Sequence, residues 1–176
     1  MFDPTAFENM KVVMEGGFYD RDLSGEIRIV DRNDSINSAK MSRRYDLTFT
    51  DLAEGLEEIL ATFTMEAGLD NLAAELLPQG KSEMLAGCRI SVIFKIKHQI
   101  EHNKFQEIRE VLEQIWGSGR NIEQTVKYST ENRQSLAETE TIISFNRLVQ
   151  EEQIDDLHEM INYMTASMDA LRKIQF

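Results

Sequence analysis

The stretch from Cys88 to Trp116 limits what this chain can fold into more than any other. Cys88, Ile90, Val92, Phe94 and Ile96 alternate with Arg89, Ser91, Lys95 and Lys97, interrupted only by Ile93. That is the two-residue period of a strand with one dry face and one wet, charged face. Phe105, Ile108, Val111, Leu112 and Ile115 then recur at three- and four-residue steps, on one side of a helix. A strand and a helix that are each apolar on one side bury those sides against each other, so the chain builds helix-on-sheet layers.

The same logic extends in both directions. Met10, Val12 and Met14 alternate with Lys11 and Glu15 and predict a first strand, which Gly16-Gly17 bulges or ends. Ile27 and Ile29 alternate within residues 26–31 and form a hairpin with it. Residues 31–42 are highly polar and predict an exposed loop. Tyr45, Leu47 and Phe49 mark another strand. Asp51 with Glu54 then starts a helix whose stripe is Leu52, Leu56, Ile59, Leu60 and Phe63, with Gly68 as its stop. A short helix from Asp70 to Leu77 precedes Pro78. After Gly117-Ser118-Gly119, Ile122, Val126 and Tyr128 predict a fifth strand, and a polar turn over 130–137 leads to a sixth carrying Ile143 and Phe145. The last helix, over 151–173, carries Ile154, Leu157, Ile161, Met164, Met168 and Leu171 in a 3-4 rhythm. That narrow seam suits either packing across the sheet or a homodimer through the C-terminal helix. Met160, Met164 and Met168 beside it serve core packing or the docking of a partner.

The expected architecture is a single α+β domain over residues 1–176. It has two layers, with about six mostly antiparallel strands and three main helices packed on one face. A chain of 176 residues, 41% of them hydrophobic, buries a core without metal or disulfide staples. No apolar run is long enough to span a bilayer, the start has no signal-peptide pattern, and one cysteine forms no internal disulfide. The expected setting is cytoplasmic, without membrane association.

A net charge of −12 disfavours nucleic acid and anionic lipid as partners. The charge is uneven. Asp51, Glu54, Glu57, Glu58 and Glu66 fall on the helix expected at 51–66, and the last helix is also acidic. The polar sides of the strands offer Arg28, Arg44, Arg89, Lys95, Lys97 and Lys127 against Asp46, Glu123 and Glu140. A mildly basic open sheet would back an acidic helical layer, either through cross-strand ion pairing or as a surface for an acidic partner.

Three local patterns bear on chemistry. Asp20, Asp22 and Ser24, with Gly25, Ile27 and Asp31 following, resemble the EF-hand calcium loop over 12 residues. Oxygen ligands at that spacing point at one centre in a tight turn. The resemblance implies calcium held by Asp20, Asp22, Ser24 and Asp31, but Asp31 stands where the bidentate glutamate belongs and no second loop pairs with it. An Asp/Gly hairpin turn has the same composition. His98, Glu101 and His102 spell the H-x-x-E-H zinc-peptidase spacing, which needs all three on a helix, whereas Asn103 and Gln106 place the helix start after His102. Cys88 and His98 share a strand face about 33 Å apart at ~3.3 Å per residue, too far for a thiol–imidazole pair. No phosphate-binding glycine loop, nucleophile elbow or four-cysteine zinc pattern is present.

The expected function is protein–protein contact without catalysis, as an acidic adaptor or chaperone-like protein. Secretion-type chaperones are comparable at the level of architecture. The alternatives are a calcium-binding module using the Asp20–Asp31 loop, and an enzyme whose site is assembled from distant residues. No cofactor other than calcium is implied.

Overall fold

The computed structural model describes residues 5–52, 59–75, 84–99, 102–128 and 136–174. In chain order they form α1 (Thr5–Ser24), β1 (Ile27–Asn37), β2 (Ser42–Asp51), β3 (Ile59–Ala67), α2 (Leu69–Ala74), β4 (Arg89–Gln99), α3 (His102–Trp116), β5 (Asn121–Tyr128), β6 (Leu136–Ser144) and α4 (Ile154–Arg172). The fold is α+β. One six-stranded sheet, in the order β1-β2-β3-β4-β6-β5, has antiparallel pairing between all neighbours. β6 lies between β4 and β5, so those two run in the same direction. Strands that share a direction need a crossover, and α3 supplies it.

Alternation decides the buried face. Tyr45, Leu47 and Phe49 on β2, Ile59, Ala61, Phe63 and Met65 on β3, and Ile90, Val92, Phe94 and Ile96 on β4 point the same way and are buried. α1, α3 and α4 cover them with Phe7, Met10, Met14, Phe18, Ile108, Leu112, Leu157, Ile161, Met164 and Met168 in one cluster. At ~25 cal/mol per Å² of apolar area removed from water, this cluster dominates the stability.

Two expected elements change type. The segment with Met10, Val12 and Met14 is not a strand but the middle of the 20-residue helix α1. Phe7, Met10, Met14 and Phe18, at three- and four-residue steps, are fully buried, while Val12 is 55% exposed. Gly16-Gly17 does not interrupt this helix. A Cβ on Gly17 would stand 2.5 Å from Ile161 Cδ1 and 2.9 Å from His158 Cε1 on α4, so the glycine lets the two helices close together. The second change concerns the helix expected at 51–66. Residues 59–66 lie in β3, whose alternation Ile59, Ala61, Phe63, Met65 buries one face. Leu52 is exposed, and Leu56 lies outside the described residues. Gly68 is no helix stop: it precedes α2 with φ −86° and donates its N–H to Asn71 Oδ1 at 3.0 Å. Leu77 and residues 130–135 of the expected turn also lie outside the described residues, and 136–137 already belong to β6.

Residues 31–41 are exposed, as their polarity predicts, but 31–37 lie in β1 and only 38–41 form a turn, the tip of the β1–β2 hairpin. At its tip Asn37 Oδ1 accepts from the N–H groups of Ala39 and Lys40, both at 3.1 Å, the side-chain turn that asparagine favours. A register shift between Ile29 and Asp31 makes Val30 a bulge. Beyond it, Arg32 and Asp34 face α1. Arg32 meets Glu15 and the Tyr19 hydroxyl, and Asp34 meets Lys11 and Arg43. The elements predicted around Cys88–Trp116, residues 122–128, residues 143–144 and the last helix all form as expected.

Candidate functional site: an aromatic cleft between α3 and α4

Trp116, the last residue of α3 and the protein's one tryptophan, is 8% exposed. Its indole Nε1 donates to Ser167 Oγ at 2.9 Å, and that hydroxyl donates to the Tyr163 carbonyl at 2.7 Å. A buried indole needs such an acceptor, and the bond fixes the ring against α4. Tyr163 covers one side with ring centroids 5.6 Å apart, and Phe145 meets it edge-on at 6.0 Å.

Phe145 follows β6 directly, in a segment held by a two-way bridge. Cys88 and Val149 exchange N–H···O bonds of 2.8 Å in both directions. Gly87 makes this approach possible, because a Cβ there would stand 2.8 Å from the Val149 carbonyl oxygen. The bridge thus anchors residues 145–149 beside the start of β4.

These residues enclose a cleft of about 340 Å³, floored by Ile115, Trp116, Phe145, Leu157 and Met160. Arg120 and Arg147 line it from the segments after α3 and β6, Asp156 and Glu159 from α4. The Arg120 guanidinium lies 4.7 Å from the centre of the Phe145 ring, a cation–π contact worth about 0.5–1 kcal/mol at an exposed site. Phe145 and Arg147 also line a second, shallower depression of about 620 Å³ with Leu69, Asn71, Leu85 and Arg89. The two share Phe145 and Arg147 in their linings. Leu69, Met84, Leu85 and Tyr163 are exposed apolar side chains at the same end. Apolar floor, aromatic walls and charged lining residues suit the holding of an extended segment with one bulky anchor.

Sequence reasoning singled out none of Arg120, Phe145, Arg147 and Tyr163 as site residues. The available signal was weak: a lone tryptophan at a helix end, with Arg120 a few positions later.

The residues that the sequence did single out lie elsewhere. Asp20, Asp22 and Ser24 are on the last turns of α1, and Asp31 is on β1 past the bulge. Asp22 Oδ1 accepts from the Ile29 N–H at 3.1 Å, Ser24 Oγ donates to the Arg21 carbonyl at 2.9 Å, and Asp31 Oδ2 accepts from Asn33 at 3.0 Å. Asp22 and Ser24 therefore serve the helix end. Among the described residues no three His, Cys, Asp or Glu side chains converge on a point that could hold a metal ion. His98 is buried on β4, with Nε2 2.8 Å from Thr139 Oγ1 and its ring against Phe105. His102 opens α3, and Glu101 lies outside the described residues. Cys88 is fully buried at the other end of β4, and burial pushes its thiol up to about 12.

The α4 seam is spent inside the chain, since Leu157, Ile161, Met164, Met168 and Leu171 are all buried under the sheet-facing cluster. A partner of α4 would meet a different face.

Among the described residues, the sheet face away from α1, α3 and α4 is neutral rather than basic. The register places Asp31, Glu66 and Glu138 on it beside Asp46, Glu123 and Glu140, which equals the six cations expected there. Glu140 bridges Lys95 at 3.2 Å and Lys127 at 3.4 Å, cross-strand pairing that keeps an open sheet wet.

Among the described residues no helix is long and apolar enough to cross a membrane. Comparison of the chain with protein-family models, curated proteins and solved structures finds no match to any of them.

Proposed function

We propose that the protein is a cytoplasmic adaptor or chaperone-like binder that acts through protein–protein contact, and that the Trp116–Phe145–Tyr163 cleft takes an acidic segment carrying a bulky apolar residue. One observation carries this reading. The chain has 31 carboxylates for 19 lysines and arginines, so an arginine finds an acidic neighbour easily. Arg21, Arg32, Arg43, Arg44, Arg109 and Arg172 each meet a carboxylate within 4 Å. Arg120 and Arg147, which line the cleft, and Arg89, which lines the depression beside it, meet none among the described residues; Arg28, on β1, is the other such case. Unpaired guanidiniums around an apolar slot match carboxylates flanking an apolar anchor.

The overall negative charge does not defeat this. At physiological salt the Debye length is about 8 Å, so local arginines decide the contact while the net charge mainly slows the encounter. Asp156 and Glu159 on α4 repel the same carboxylates and so fix which way the segment lies.

Because Trp116 is the one tryptophan, its fluorescence reports on the cleft directly. The probe is a short peptide alternating aspartate with leucine or phenylalanine, compared with its lysine-for-aspartate counterpart. The acidic peptide is expected to change the emission saturably with Kd of order 10–100 µM. Arg147→Gln weakens it about tenfold, in line with loss of one charge-assisted contact. No saturable response, or an equal response to the lysine peptide, overturns the proposal.

A further inference from the structure

We propose that β1 and the outer side of α1 pair with the same elements of a second copy, so that two sheets join edge to edge around a two-fold axis. β1 is an outermost strand of 11 residues whose guards are the bulge at Val30 and its charged side chains; it contains no proline, and no helix or loop among the described residues packs beyond it. Ile36 on its α1 side is 73% exposed, and Val30 at the bulge is 47% exposed. The opposite edge, β5, carries no exposed large apolar side chain among the described residues. Among the described side chains, large exposed apolar ones therefore lie on the β1 edge and not on the β5 edge.

The sequence of β1 is complementary to itself. In an antiparallel pair centred on Asn33, Arg32 stands opposite Asp34 of the second copy, Val30 opposite Ile36, and Asp31 opposite Ser35. Each pairing occurs twice, and no like charges face each other. Centring the pair on Asp31 or on Arg32 would instead stack two carboxylates or two guanidiniums on the axis, which is destabilising. The helix above agrees with the same centre. Lys11 reaches Asp34 and Glu15 reaches Arg32, so the exposed Val12 between them lies over Asn33. An axis through Asn33 then brings the two Val12 side chains together. Charge, apolar matching and helix placement all select one register, and a homodimer interface has to be self-complementary in this way.

Sedimentation of the full chain over a concentration series tests this. The whole protein is expected to be dimeric at high micromolar concentration. Ile36→Lys and, separately, Val30→Lys are expected to weaken the dimer at least about tenfold, because each puts two lysines into the joint. Val126→Lys on β5 is expected to leave it intact. Far-UV circular dichroism at low concentration, where the monomer prevails, should match the parent for every variant. A monomeric parent at high concentration overturns the proposal. So does a dimer that survives Ile36→Lys, or one lost with Val126→Lys. Peptide binding in the Trp116 cleft is scored separately by fluorescence, so either result can stand without the other.

Discussion

Replacing Arg43 with methionine should destabilise the protein by about 2 kcal/mol at neutral pH, and about a quarter of that loss should disappear by pH 3. Arg43 is 13% exposed at the side chain and joins α1 to the hairpin. Its Nε and Nη2 donate to Asp34 at 3.0 and 2.8 Å, Nη2 also donates to Glu8 at 2.8 Å, and the guanidinium lies 4.6 Å from the centre of the Phe7 ring. The bond from Arg43 is the largest influence holding the Asp34 carboxyl at about 2, against an ordinary 3.8, with Lys11 adding to it. At 1.36 kcal/mol per pH unit that depression corresponds to roughly 2.4 kcal/mol, and solvent screening of a carboxylate about a third exposed reduces it to about 1 kcal/mol. The pull on Glu8, to which Lys11 contributes most, is smaller. The cation–π contact adds about 0.5–1 kcal/mol. Methionine keeps most of the packing volume, so the loss is chiefly of these polar terms.

Both carboxyls titrate lower in the fold than in the unfolded chain. Their stabilisation is complete above the unfolded values, near pH 4, and drains away as pH falls towards about 2. In the Arg43→Met variant the carboxyls sit nearer their ordinary values, so acidification costs it less. By pH 3 roughly half of the Asp34 contribution is gone, and the two proteins should have drawn closer by that amount. Urea unfolding followed by circular dichroism at pH 7, 5 and 3, at one protein concentration, measures the gap. A gap that stays the same from pH 7 to pH 3, or is under about 0.5 kcal/mol throughout, refutes the reasoning.

Gly17→Ala should lower stability by about 1–2 kcal/mol although alanine favours helices, because the new methyl meets Ile161 at 2.5 Å; a raised melting temperature would mean that α1 and α4 separate freely. Thr64→Val should raise stability by about 1 kcal/mol, since the Thr64 hydroxyl is buried without a hydrogen-bond partner among the described residues; a loss in urea unfolding contradicts this. Cys88, with its thiol pushed up to about 12 by burial, should resist thiol reagents at neutral pH until the protein unfolds, and rapid labelling of the native protein would show that the bridge to Val149 opens.

How much of this was legible depended on whether a segment satisfies one periodicity or two. The Cys88–Trp116 stretch fits a strand and then a helix with no rival pattern, and it forms both. Met10, Val12 and Met14 fit a strand, but Met10 and Met14 also extend the helical series Phe7, Met10, Met14, Phe18, and the longer series buries more apolar surface. Gly16-Gly17 carries a helix-breaking cost of about 1 kcal/mol per glycine. At Gly17 that cost is offset by α4 lying where a Cβ would be, a reason only the tertiary structure supplies, while a Cβ on Gly16 would meet nothing within 4 Å. Residues 59–67 show the reverse case. Leu56, Ile59, Leu60 and Phe63 read as a helix stripe, while Ile59, Ala61, Phe63 and Met65 read as a strand; the small Ala61 hid the second pattern, and pairing on both sides with β2 and β4 decided it. The cleft was least legible, because its parts come from the end of α3, the segment after β6 and one face of α4, which no local pattern connects.

The two proposed surfaces also constrain each other. β1 is one edge of the sheet, whereas the cleft is built beyond β4 and β6, towards the other edge. Edge-to-edge pairing through β1 would therefore place the two clefts at the far ends of a continuous sheet, both open. A partner with two acidic segments, spaced to reach both, would bind its second site at an effective concentration set by its linker, which raises apparent affinity by about 10²–10⁴ without any new contact. The pairing of charge follows the same division. Around β1 and α1 every cation facing the helix has an internal carboxylate, so that region is rigid and can be matched to a copy of itself. Around the cleft the arginines are left for an outside carboxylate. A chain this acidic leaves arginines unpaired most readily where its own acids are kept at a distance, and Asp156 and Glu159 line the same cleft as Arg120 and Arg147 without bridging to them.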